Sequence, residues 1–149
     1  MRKRKNKIFS ITAAIVGVLV VIAAIGLCVR MGTSQTYTSL SATGYEVGAL
    51  DSTGAFEKNA GSFVSKDFHS VEGLSVKVDK DADVSYQLFF YDAEENFISA
   101  TNNFGVTYNG VIPENAELFK IEITPNNDDD ISTFDIIKYE SDVEVRFYK

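Results

Sequence analysis

Chemistry in this chain has to be sought among acids, amides and aromatic rings, because the other reactive side chains are nearly absent. There is one histidine, His69, and one cysteine, Cys28. Cys28 lies in an apolar run far from His69, so Cys-His catalysis has no basis. A Ser-His-Asp triad would have to form around a histidine at a strand end, between Phe68 and Ser70. Transition-metal sites draw on clusters of His and Cys, which the sequence does not offer. Glycosidases use two carboxyls at a fixed separation. With 21 Asp and Glu on a solvated surface, such pairs arise by chance, and none stands out.

Two acidic stretches have oxygen-donor spacing. Asp79, Asp81 and Asp83 match the first three ligands of an EF-hand loop, but Val84 stands where that loop needs Gly and Phe90 where it needs Glu, so they read as a charged hairpin turn. Asn127, Asp128, Asp129 and Asp130 could supply hard oxygens to one structural Ca²⁺, the plain alternative being a solvated acidic loop. For carbohydrate, the expected surface is a ring that covers the apolar face of a sugar, flanked by hydrogen-bonding side chains. The chain has no Trp. Asn102, Asn103, Phe104, Tyr108 and Asn109 bring rings and amides together in one stretch and are the candidate ligand-binding residues, the plain alternative being that each ring packs a core.

The elements that must position these groups are strands. In residues 84–92, Val84, Tyr86, Leu88 and Phe90 share one face while Ser85, Gln87, Phe89 and Tyr91 share the other, which predicts a central strand with aromatics on both sides. Leu74, Val76 and Val78 alternate with Ser75, Lys77 and Asp79, and the turn 79–83 predicts a hairpin to Val84. Phe119, Ile121 and Ile123 alternate with polar residues, as do Val143, Val145 and Phe147. Further strands are expected over 36–40, 45–50, 63–68, 97–101, 105–111 and 134–139, with a polar turn at 92–96. Pro113 marks a strand entry and Pro125 a strand end. Eight to ten short strands suit two packed sheets, since one open sheet of that size leaves an apolar face in water.

The succession Tyr91-Asp-Ala-Glu-Glu-Asn-Phe-Ile-Ser99, then Ile112-Pro-Glu-Asn-Ala-Glu-Leu-Phe-Lys-Ile-Glu-Ile123, is similar to a jelly-roll β-sandwich module of bacterial surface and phage tail proteins, related in shape to galactose-binding and carbohydrate-binding modules. Residues 65–68 and Val71 look like the preceding strand of that module. The resemblance covers residues 37–149. It implies an all-β, jelly-roll-like two-sheet sandwich, a structural Ca²⁺ of the kind many such modules carry, and recognition of carbohydrate.

Location is read from the N-terminus. Residues 8–29 hold no charge, and at ~1.5 Å rise per residue they cross the ~30 Å hydrocarbon core as one helix. Arg2, Lys3, Arg4, Lys5 and Lys7 precede this run while only Arg30 follows closely, an excess that keeps the tail 1–7 cytoplasmic. A cleaved signal peptide shares these features, but its core is shorter and no small-x-small site closes this one cleanly. A lipoprotein box before Cys28 wants a small residue where Leu27 stands. Residues 30–36 read as a linker and 37–149 as an extracytoplasmic β-sandwich. Six of the 14 Lys and Arg lie in the first 30 positions, which hold no acid, leaving 8 basic against 21 acidic side chains beyond them, a net of −13. That balance repels nucleic acid and disfavours lying on an anionic leaflet. With no later cysteine, the domain folds without disulfides.

The expectation is therefore a single-pass membrane protein whose outer domain is a binding module and not an enzyme. Its ligand is cell-surface carbohydrate or, alternatively, a partner protein of an envelope or secretion assembly.

Overall fold

Period-two alternation is realised most fully in two eight-residue strands that pair along their whole length. The computed structural model describes residues 36–102, 104–108, 110–127 and 131–148, which belong to one compact unit. In chain order the elements are β1 (Tyr37–Ser39), β2 (Tyr45–Val47), β3 (Ala49–Leu50), β4 (Phe56–Glu57), β5 (Phe63–Ser65), β6 (His69–Ser70), β7 (Ser75–Val78), β8 (Val84–Tyr91), β9 (Phe97–Ala100), β10 (Leu118–Pro125), α1 (Thr133–Glu140) and β11 (Val143–Tyr148). The segment 8–29, the tail 1–7 and most of the linker lie outside the described residues. Among the described residues no helix is long and apolar enough to cross a membrane.

The larger sheet has the order β2-β5-β10-β8-β9, with β6 also paired to β10, and the smaller has the order β1-β11-β7. Every pairing is antiparallel, so the described residues are all-β apart from α1 and one 3-10 turn. The register of β8 and β10 sets Phe90 opposite Phe119, Leu88 opposite Ile121 and Tyr86 opposite Ile123. These side chains join Val76, Val145 and Phe147 of the smaller sheet in one apolar cluster, so the two sheets share a core in a sandwich-like arrangement. Where β5 leaves β10, the fully buried Ser65 accepts the Ile121 N–H at 3.1 Å and repairs the ladder.

The other face of the larger sheet is also covered. Val64, Phe89, Tyr91 and Leu50 form a second cluster there, with Phe68, Phe97 and Leu118 against it. Residues 48–62 pass over this face. The Tyr91 hydroxyl donates to the Gly54 carbonyl at 2.8 Å, and Gly54 turns at φ 75°, where an added Cβ would stand 2.7 Å from the Phe97 ring and from the Tyr91 hydroxyl.

Five expectations are corrected. β7 does not form a hairpin with β8: it pairs with β11, and residues 79–83 carry the chain from one sheet to the other. Two strands with one dry face each can meet side by side or face to face, and alternation alone does not distinguish these. Here the Asp79 N–H bonds the Asp142 carbonyl beside the start of β11 and fixes the second arrangement. The strand expected over 134–139 is the helix α1. A capping box closes its start, with the Ser132 hydroxyl 2.6 Å and the Ser132 N–H 2.8 Å from the Asp135 carboxylate. Ile136 and Tyr139, three apart, are buried while Ile137 is exposed, a helical and not an extended pattern. No strand spans 105–111 among the described residues; Phe104 makes an isolated bridge to Tyr86, and the described residues after it lie in no strand before Leu118. The expected strand 45–50 is also divided at Gly48, and 63–68 ends at Ser65.

Candidate functional site

The one histidine sits in the two-residue strand β6, held by pairing to Leu118 and Phe119. Its ring centroid is 4.6 Å from that of Phe147 and 5.6 Å from that of Phe119. Nε2 is buried and has no hydrogen-bond partner. Burial pushes the His69 pKa below its ordinary value, Asp67 opposes this and Lys120 adds to it, so the imidazole is neutral at pH 7.

Beside His69 lies a cleft of about 620 Å³, where the chain crosses from β1 in the smaller sheet to β2 in the larger. Its lining includes the hydroxyl side chains of Thr38, Ser39, Ser41 and Ser70, the carboxylate of Asp67 and the ring of Tyr148. The crossing is braced from below. Ser41 and Thr43 hydroxyls are 3.0 Å apart, the Lys66 ammonium donates to the Thr43 carbonyl at 2.9 Å, and the Lys66 N–H donates to the Gly44 carbonyl at 2.8 Å.

Tyr148 carries a second ring with it. Tyr37 is its cross-strand partner, the centroids are 4.3 Å apart, and the Tyr148 hydroxyl donates to that of Tyr37 at 2.9 Å. This bond raises the Tyr148 pKa above its ordinary value. Tyr37 is 54% exposed. Gly73, at φ 67°, allows the Tyr148 ring to sit down: a Cβ there would be 2.7 Å from it. Cleft and tyrosine pair together offer hydroxyls, one carboxylate and accessible ring area, a combination suited to a polar ligand with apolar faces.

Of the residues singled out from the sequence, those that the structure describes do not line this cleft. Asn102 is exposed, while Asn103 and Asn109 lie outside the described residues. Tyr108 is only 9% exposed and belongs to the main core cluster. Its hydroxyl donates to the Val111 carbonyl at 3.2 Å and its N–H to the Val76 carbonyl at 2.9 Å. Phe104 packs against the same core, 5.8 Å from Tyr86 and 6.0 Å from Tyr108 between centroids. Of the calcium candidates, Asp128, Asp129 and Asp130 lie outside the described residues. Asn127 donates its side-chain amide to the Asp83 carboxylate, which Asn126 also approaches at 3.0 Å. Among the described residues no three His, Cys, Asp or Glu are grouped to hold a metal ion.

Sequence reasoning passed over Thr38, Asp67, Tyr148 and the pairing of Tyr148 with Tyr37. The signal available was the outward position of a tyrosine on each of two alternating segments; what joins them is the pairing of the first strand with the eleventh.

A second half-buried titratable group faces the opposite side of the larger sheet. Glu122 accepts the Leu50 N–H at 2.7 Å, tying the covering segment to β10. Burial raises its pKa above the ordinary carboxyl value, and the Leu50 N–H opposes that shift.

Compared with known proteins, the chain gives no significant match to a family model, a curated protein or a solved structure.

Proposed function

We propose that residues 37–149 form a non-catalytic binding module of jelly-roll type, held at the outer face of a membrane by the apolar segment 8–29, and that it recognises carbohydrate. The observation that carries this reading is the cleft at the β1 to β2 crossing, which is lined by hydroxyl residues, Asp67 and Tyr148, with the Tyr37 ring in contact with that of Tyr148. A sugar needs those two chemistries side by side, directional partners for its hydroxyls and a flat apolar surface for its C–H face. Pairing of β1 with β11 in a smaller sheet facing a larger one supports the jelly-roll type.

One open cleft gains little beyond the cost of ordering its ligand, so single-site affinity is expected at roughly 0.1 to 1 mM. Many tethered copies facing a repetitive polymer would raise retention through effective concentration. The test is polysaccharide retention by the full chain in vesicles at high and low surface density. Retention at high density alone is the expected result, and no retention at either density by any of a panel of bacterial, plant and fungal polysaccharides overturns the reading. Protease added to intact cells is expected to remove the β domain and spare the basic tail.

A protein partner in an envelope or secretion assembly is the second reading. It is favoured by Val106 and Val111, which are 66% and 91% exposed in a single loop.

A further inference from the structure

Among the described residues that line the cleft, Asp67 has the only formally charged side chain. It is exposed, and its carboxylate accepts no hydrogen bond from another described residue. The Thr38 and Ser39 hydroxyls beside it are equally unengaged. The nearby cations are turned elsewhere. The Lys66 ammonium donates to the Thr43 carbonyl, and that of Lys120 donates to the Lys66 carbonyl at 2.9 Å and lies 4.8 Å over the Phe68 ring. The neutral ring of His69 adds no charge from below. A carboxylate is an acceptor only, and its two oxygens match two adjacent hydroxyl donors. An anionic group brought to the same place meets both Asp67 and the −13 balance of residues 31–149.

We propose that the cleft binds an uncharged carbohydrate chain, with two neighbouring sugar hydroxyls on the Asp67 carboxylate and a sugar face on the Tyr37 and Tyr148 pair, and that it rejects chains carrying carboxylate, sulfate or phosphate. The proposal rests on the carbohydrate reading above and gives it a place and a charge rule.

His69 makes the test specific, because it is the only histidine in the chain and its ring lines the cleft. The full chain, labelled with ¹⁵N at histidine and held in a detergent without a sugar headgroup, is titrated with cellohexaose, maltohexaose and chitohexaose, and separately with oligogalacturonate and a heparin hexasaccharide. At least one uncharged chain is expected to move the His69 ring resonances, and to bind about tenfold or more tightly than either anionic chain at low salt. Asp67→Asn should weaken the uncharged chain several-fold and narrow the gap to the anionic ones. Tyr37→Ala, at an exposed position, should weaken the uncharged chain while leaving the histidine spectrum of the free protein unchanged. An uncharged chain that binds without moving His69 overturns the cleft as the site and leaves the carbohydrate reading standing. Anionic chains that bind as well as uncharged ones overturn the charge rule. Binding by none of the five overturns the carbohydrate reading for this cleft, and the proposal with it.

Discussion

The two faces of the larger sheet are closed in different ways. The inner face meets another sheet, and Phe63, Phe119, Ile121 and Ile123 are fully buried there by apolar partners. The outer face meets residues 48–62, which hold only two two-residue strands, β3 and β4. A sheet brings its backbone polar groups already paired, whereas an irregular segment brings them loose. The outer face therefore keeps polar side chains: Glu122 accepts the Leu50 N–H, the Tyr91 hydroxyl serves the Gly54 carbonyl, and the Ser62 hydroxyl serves the Gly48 carbonyl at 3.0 Å. The inner face carries the fold, and the outer face holds a cover in place.

The comparison is tested most severely at Phe119, which touches its strand neighbour His69 and reaches Phe147 across the core. Phe119→Ala is expected to cost about 3 to 5 kcal/mol in denaturant unfolding. A loss no larger than that of an outer-face change would abolish the distinction. Tyr91→Phe removes one hydrogen bond from the cover and should cost only about 1 kcal/mol globally, while hydrogen exchange at the Leu50 and Ala55 amides accelerates. Equal acceleration of the β10 amides would show that cover and core unfold as one.

The two half-buried titratable groups sharpen the contrast through opposite pH slopes. His69, between inner-face rings, has its pKa lowered from an ordinary 6.5, so the unfolded chain binds the proton more readily. Its contribution is fully present above pH 6.5 and is lost as pH falls through the lowered value. His69→Phe, which also removes the unpartnered Nε2, should raise Tm and flatten that acid limb. Glu122, on the outer face, has its pKa raised from an ordinary 4.5, so the folded chain binds the proton more readily. Stability then declines as pH rises from 4.5 to the raised value and is level above it. Glu122→Gln keeps an acceptor for Leu50 and should give a small gain at pH 7, read as a Tm difference that vanishes below pH 4. A gain that persists in acid would assign the effect to packing and not to charge.

What could be read from the sequence follows from which forces are local. Alternation in β8 and β10 reports burial on each face of a strand, and both strands stand where the pattern puts them. The partner of β7 is not local: Val76 and Val78 would show the same dry face against β8 or across the sandwich from it. The helix α1 was masked by Ile136 and Ile137, whose β-branched side chains imitate a strand, although Ser132 and Asp135 carried a start signal three residues apart. The cleft depends on Thr38, His69 and Tyr148 meeting, and no spacing rule in sequence records that meeting.

The pairing of Tyr37 with Tyr148 also sets a timetable. The two hydroxyls are 111 residues apart along the chain, and β1 has no other partner in its sheet than β11. At roughly 5 to 20 residues per second, synthesis needs on the order of 5 to 20 s to deliver the second tyrosine after the first. Throughout that interval β1 stays an unpaired ribbon. The larger sheet can assemble around β8 and β10 meanwhile, since their pairing needs nothing after Pro125, but the cleft beside His69 cannot form until β11 arrives. The cleft is then the last feature the nascent chain completes, with the contact of the Tyr37 and Tyr148 rings as its closing step.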